Sequence, residues 1–559
     1  MREISPLQKE RKNYSPKLAG ALANGIKNVK LTFGENTSSV ANQEEIKALF
    51  PHVYGEPIAK FASSGQDLST NPINVGVILS GGQAPGGHNV IAGLFDALKT
   101  ANADNKLIGF LGGPSGIVDG KYMEITSEIM DNYRNTGGFD IIGSGRTKLE
   151  TEEQFKKALE VCKNLNIGAI VIIGGDDSNT NACLLAEWMK ANNTGINVIG
   201  CPKTIDGDLK NDQIEISFGF DTATKTYAEL IGNIQRDANS AKKYWHFIKL
   251  MGRSASHVCL EAALQTQPNI TLIGEEVEAK AQSLDEIVSY MANIIAARAE
   301  KGKNFGIALI PEGLIEFIPE MKVMIASLND LLAGLEKDSS YQNATQEEKY
   351  QIITSKLDNN NAKLFNSLPS QIKAQLLMDR DPHGNVQVSK IETEKLLIEM
   401  IKVKLAEMKQ QGKYNGKFSD QAHFFGYEGR CAAPSNFDAD YCYSLGYNAF
   451  ALIQSGLTGY LSSIKNTTKP ASQWVAGGVP LTMMMNMERR HGEMKPVIKK
   501  ALVELDGPVF RALADHREKW ALNDCYIFPG AIQYFGPSSV CDATTLTLQL
   551  EQEKKLVNV

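Results

Sequence analysis

Two adjacent aspartates, Asp176 and Asp177, follow a glycine pair at the end of an apolar run, IGAIVIIGGDDS. One carboxylate at such a turn can hold Mg²⁺, which takes one or two carboxylates together with phosphate oxygens. A second carboxylate repels phosphate. Asp177 therefore calls for another reason: it caps the next helix together with Ser178, or it keeps some group out. A second loop, PKTIDGDLKND, supplies the cation Lys203, the hydroxyl of Thr204 and the alternating carboxylates Asp206 and Asp208. If the loop is extended, alternation places both carboxylates on one side. One can then act as a general base while the other tunes it. An ordinary Asp-Gly turn accounts for the same letters. In a third loop, KLMGRSASH, Gly252 permits close approach and Arg253 can fork onto a phosphate.

Weaker signals accompany these. LSGGQAPGGHN, Leu79 to Asn89, joins glycines to a helix start and could cradle an anion. It is not a Walker A loop, since His88 and Asn89 stand where a lysine and a hydroxyl belong. Nor does SGGQAPGG match the G-x-G-x-x-G of a nicotinamide-binding turn. ALIPEG ends near Glu312, an acceptor suited to sugar hydroxyls, and FGYEGR offers Tyr427 and Arg430.

The elements that must position these loops are legible as alternation. From Asn74 onward, short β-branched runs, glycine turns and amphipathic stretches succeed one another, and a second such series begins near Tyr244. Strands alternating with helices predict parallel, doubly wound sheets. Ligands bind such sheets beyond the carboxyl ends of the strands, where all three loops fall. Residues 321–413 have helical spacing and few β-branched runs, which predicts a mostly helical insertion. The reading divides the chain into an N-terminal α/β domain, 1–221, completed by about 430–480. A second α/β domain follows at 222–429, and a C-terminal extension, 481–559, packs across the domains.

Bulk properties narrow the classes. The 559 residues carry a formal charge of −6, and nothing in that balance points to nucleic acid. Eight cysteines without a C-x-x-C pair argue against a zinc module and suit reduced thiols in a cytoplasmic protein. The N-terminus, MREISPLQKERKNYSPK, has no apolar signal core, and no run approaches the length of a membrane span.

Taken in order, GGDDS, PKTIDGDL, MGRSASH, PEG and YEGR resemble the 6-phosphofructokinase family, most closely its pyrophosphate-dependent branch in long form. The resemblance covers about Asn74 to Gly459, interrupted by the helical insertion. It implies two Rossmann-like domains and phosphoryl transfer from pyrophosphate to the 1-hydroxyl of fructose 6-phosphate. Asp206 resembles the base, positioned by Thr204 and Asp208, with Arg253 stabilising charge. Asp176 resembles the residue that holds Mg²⁺. Gly82 and Arg146 resemble donor contacts. ATP-using members have glycine where Asp177 stands, and usually glycine where Lys203 stands. Asp177 is then expected to fill the space of a nucleotide's α-phosphate, and Lys203 to face the two phosphates that remain. Thr204, Ile205, Asp206, Met251, Gly252, Arg253, Glu312, Tyr427, Glu428, Gly429 and Arg430 resemble sugar-phosphate contacts. Lys243 and Tyr244 resemble residues that complete a neighbouring subunit's site, which implies a homodimer. The alternatives are an ATP-using member and a noncatalytic regulatory subunit.

Overall fold

The computed structural model describes residues 8, 11–64, 72–335, 338–378, 386, 390–490, 493–531 and 542–553. The chain divides into two units. Unit 1 consists of the described residues of Met1–Thr226, Tyr427–Ala501 and Ile532–Gln552. Unit 2 consists of those of Tyr227–Gly426, Leu502–Ala531 and Glu553–Val559. Tyr427–Gly429, grouped with the second domain on sequence, thus falls in unit 1 together with Arg430, and the C-terminal extension divides at Ala501/Leu502.

In chain order, unit 1 first contributes β1 (Val29–Asn36), β2 (Pro57–Ser63), β3 (Asn74–Leu79), β4 (Leu107–Phe110) and β5 (Tyr122–Ile125). It continues with β6 (Ile167–Gly174), β7 (Asn197–Thr204) and β8 (Phe218–Gly219). Unit 2 holds β9 (Tyr244–Leu250), β10 (Ile270–Thr271), β11 (Phe305–Pro311) and β12 (Asp420–Phe425). The chain then returns to unit 1 with β13 (Tyr460–Lys465), β14 (Val475–Pro480) and the hairpin β15 (Met485–Arg490) and β16 (Glu493–Ile498).

The unit 1 sheet runs β1-β2-β14-β13-β7-β6-β3-β4-β5, with β8 paired to β7. Its centre, β13-β7-β6-β3-β4, is parallel, while β5 and the β14-β2-β1 flank pair antiparallel. Burial explains the apolar sequence of the central strands: Ile170, Val171, Ile172 and Ile173 of β6 are all buried, as when both sheet faces are covered. On one side, helices Gly87–Ala101 and Asn436–Gln454 press together backbone to backbone. A Cβ on Gly446 would lie 1.8 Å from the Val90 carbonyl oxygen, and one on Gly93 2.0 Å from that of Tyr443.

Unit 2 carries a parallel sheet, β10-β11-β9-β12. The described residues of its expected insertion form helices joined by short turns, from Pro319–Leu335 to Thr393–Gln410. Trp245 and Phe247 of β9 share one continuous core with Met324, Leu328, Phe365, Leu396 and Ile401 of the insertion.

Candidate functional site

Unit 1 gathers the residues suited to a phosphate donor. The helix Asp176–Ala191 begins directly after β6, with Gly175 as its N-cap and no side-chain cap. Asp176 and Asp177 are therefore the first two helical residues, and neither Asp177 nor Ser178 occupies the capping position. The Ser178 hydroxyl instead donates to Ser80 Oγ at 2.8 Å, joining this turn to the end of β3. Both carboxylates lie in the first turn, where the helix dipole favours negative charge. Asp176 is half-buried and Asp177 is exposed.

Lys203, the next-to-last residue of β7, is a buried cation, 6% exposed. Burial is the main reason its ammonium is pulled down to about 8, and the nearby Arg430 and Arg146 add to the effect. The three cations surround a bare stretch of backbone. A Cβ on Gly81, at φ +84°, would lie 3.2 Å from Lys203 Nζ. One on Gly82 would lie 2.7 Å from Arg430 Nη1 and 3.3 Å from Arg146 Nη2. Glycine here lets the guanidinium groups close on the loop. Two further contacts hold the arrangement: Gly81 N donates to Gly145 O at 2.8 Å, and Arg430 Nη1 to Gln83 O at 3.2 Å.

The loop after β7 is bent rather than extended, because Gly207 adopts φ +76°. The bend nonetheless brings Asp206 and Asp208 close enough to repel. Burial first, and then the neighbouring Asp206 carboxylate, hold the Asp208 carboxyl well above its usual range. Asp206 N donates to Thr204 Oγ1 at 3.0 Å, so Thr204 shapes the turn that presents Asp206. Asp206 Oδ1 is buried and accepts no hydrogen bond among the described residues. Arg430 Nη2 lies 3.9 Å from it. Ile205, also in this bend, is buried.

One residue escaped the sequence reading. Lys500 Nζ lies 3.5 Å from Asp176 Oδ2 and 4.0 Å from Asp208 Oδ2. The segment VIKKALVE has no motif, and only the return of the chain through β13 to β16 brings it here.

The donor set tolerates a magnesium ion. Among the described residues, no three His, Cys, Asp or Glu side chains form a metal cage. The Asp176 carboxylate and the unsatisfied Asp206 Oδ1 suit a cation that completes its shell with phosphate oxygens and water.

Unit 2 carries the remaining expected residues at the carboxyl ends of β9 and β11. Gly252, at φ +145°, donates its N–H to Glu312 Oε2 at 3.0 Å. Glu312 and Met251 are buried, and Met251 N donates to Phe425 O at 2.9 Å. Arg253 is partly exposed, its Nε 3.7 Å from Glu316 Oε2. Lys243 and Tyr244 stand apart, at the opposite end of β9. Lys243 is exposed, with its ammonium 5.1 Å from the Tyr244 ring centroid. Tyr244 holds φ +71°, a conformation side chains seldom adopt. Tyr427, Glu428, Gly429 and Arg430 form a single turn in unit 1, where Tyr427 is 69% exposed.

Comparison with known proteins places this geometry. Residues 74–453 match the family model described as Phosphofructokinase. The chain is 58% identical over 551 residues to the pyrophosphate–fructose 6-phosphate 1-phosphotransferase of Porphyromonas gingivalis, covering 99% of this chain and 100% of that one. It is 54% identical to the protein of the same name from Entamoeba histolytica, over 98% of this chain and 100% of that one. Among solved structures, the pyrophosphate-dependent phosphofructokinase of Nitrosospira multiformis shares the fold at a TM-score of 0.52 and 16% identity, over 77% of this chain and 86% of that one. The chain belongs to the phosphofructokinase family.

Proposed function

We propose that this chain is an enzyme, a pyrophosphate–fructose 6-phosphate 1-phosphotransferase that forms fructose 1,6-bisphosphate and phosphate reversibly. The observation that carries the reading is its end-to-end likeness to relatives of that name, with the donor-discriminating pair Asp177 and Lys203 in place. A regulatory chain that had lost catalysis would lack some of the donor and base residues, and none is missing here.

In this reading, Lys203, Arg146 and the Gly82 backbone hold pyrophosphate. Asp206 accepts the proton of the sugar's 1-hydroxyl. That oxygen bonds to the nearer phosphorus while the bond from this phosphorus to the bridging oxygen breaks, and phosphate leaves. Thr204 and Asp208 keep Asp206 oriented. Arg253 stabilises the shifting charge. Met251, Gly252, Glu312 and Ile205, with Tyr427, Glu428, Gly429 and Arg430, hold the sugar phosphate. Mg²⁺, held by Asp176, supplies charge neutralisation on the donor when bound. Catalysis of this type is chiefly positioning and electrostatics. The enzyme works in the cytoplasm as a homodimer in which Lys243 and Tyr244 of each copy complete the other's sugar-phosphate site. No helix among the described residues is long and apolar enough to cross a membrane.

The test is a purified-protein assay with fructose 6-phosphate and either pyrophosphate or ATP. Product with pyrophosphate and not with ATP is expected. Turnover with ATP alone overturns the reading.

A further inference from the structure

The donor residues of unit 1 carry a charge problem. Asp176, Asp177, Asp206 and Asp208 all act on one ammonium, that of Lys500, so four carboxylates share one neighbourhood. A pyrophosphate anion adds more negative charge. Lys203, Arg146 and Arg430 answer it from the Gly81–Gly82 side. Lys500 answers it from between Asp176 and Asp208, within 4.0 Å of a carboxylate oxygen of each. The backbone is pinned on both sides of this lysine. Lys499 N donates to Met484 O at 2.9 Å, and Ala501 N donates to Asp208 O at 2.8 Å. The second bond ties the residue that follows Lys500 to the loop that carries Asp206.

We propose that Lys500 is a phosphate-binding residue of the donor site, its ammonium holding the Asp176–Asp208 corner before the donor arrives and pairing with a pyrophosphate oxygen afterwards. The proposal rests on the pyrophosphate reading above. Two consequences run in opposite directions. Without Lys500, pyrophosphate loses a cation and binds more weakly. Asp176 also loses a competing positive charge, so a divalent cation offered alone binds more tightly.

The experiment compares the full-length wild type with Lys500→Met, Lys500→Arg and the neighbouring Lys499→Met. Pyrophosphate binding is measured by calorimetry in the presence of a chelator, and Mn²⁺ binding by spin-resonance titration without phosphate. For Lys500→Met we expect pyrophosphate affinity to fall tenfold or more and Mn²⁺ affinity to rise threefold or more. Fructose 6-phosphate affinity stays within twofold and the thermal midpoint is unchanged. Lys500→Arg recovers most of the pyrophosphate affinity, and Lys499→Met, on an exposed side chain, matches wild type. Unchanged pyrophosphate affinity overturns the proposal. Weakening of both ligands together also overturns it, since that is the mark of a damaged loop. Failure of the pyrophosphate reading looks different: the wild type itself then makes no product from pyrophosphate.

Discussion

At the scale of single residues, the site is defined by the charges it brings together. Asp177 sits at the second position of its helix, exposed, beside the half-buried Asp176. Under the proposed pyrophosphate reading, a carboxylate so placed leaves room for two linked phosphates and repels a third. Asp177→Gly is therefore expected to raise the ratio of ATP to pyrophosphate turnover at least tenfold, about 1.4 kcal/mol of discrimination. Competing-donor assays read this ratio, and an unchanged value removes Asp177 from donor choice. Lys203 gives a pH dependence. Its ammonium is held down to about 8, by burial first and then by two guanidinium groups. In the free enzyme the charged form is lost as pH rises through that value. The KM for pyrophosphate should accordingly climb above pH 8, whereas Lys203→Arg, charged throughout, should flatten the climb. The contribution of this group to stability follows the opposite course. The unfolded chain holds this proton up to about 10.5, so the contribution of Lys203 grows as pH rises from 8 to 10.5. Most residues of the candidate site were legible because each lies at or just beyond the carboxyl end of an apolar strand. Lys500 was not, and neither was the approach of Arg430 to Gly82 and Gln83. Both depend on distant segments meeting in three dimensions, with nothing in their own surroundings to mark it.

At the scale of elements, alternation of apolar runs and glycine turns predicted the parallel strands well, since strands covered on both faces must be apolar throughout. The antiparallel flank of the unit 1 sheet was harder to see. β14, VAGGVP, has two glycines in six residues and reads as a turn. The glycines belong there because β2 passes closely: a Cβ on Gly477 would lie 2.2 Å from the Ala59 carbonyl oxygen. At Gly207 the Asp-Gly turn prevails over the extended alternative, since one positive φ breaks the alternation of the aspartates. Helix packing yields a prediction at this level. Gly446 and Gly93 let two helices of unit 1 touch along their backbones. Alanine is the better helix former, so a propensity argument expects Gly446→Ala to stabilise by about 1 kcal/mol. The contact of 1.8 Å with Val90 O dictates the reverse. We expect a loss of about 1–3 kcal/mol, measured by urea titration; a gain would show that these helices can part without cost.

At the scale of the whole molecule, the question is whether the helical insertion is an appendage or part of a folding unit. Its sequence reads as a separate block, since its composition changes sharply at both ends. The core contradicts that impression: Phe365, Leu328 and Leu396 of the insertion are fully buried in the same cluster as Trp245 on β9. β9 in turn leads into Met251, Gly252 and Arg253. A buried pair joins the two more directly. The Lys249 ammonium donates to Ile391 O at 2.8 Å and lies 3.3 Å from Glu394 Oε2, both groups being almost fully buried. Such a pair contributes little net stability, but removing one partner is costly. An insertion anchored in this way should melt together with the sheet that carries the proposed sugar-phosphate loop. Phe365→Ala removes a ring from the middle of the insertion, 6.0 Å between centroids from Tyr350, and should cost about 3–5 kcal/mol. Because Trp245 belongs to the same core, its emission should shift at the same lowered urea concentration as the loss of helical circular dichroism, in a background where the tryptophans at 188, 474 and 520 are replaced by phenylalanine. Were Trp245 to keep its wild-type midpoint while the helical signal fell early, the insertion would be an independent body, and its shared core with β9 would play no part in holding Arg253 in place.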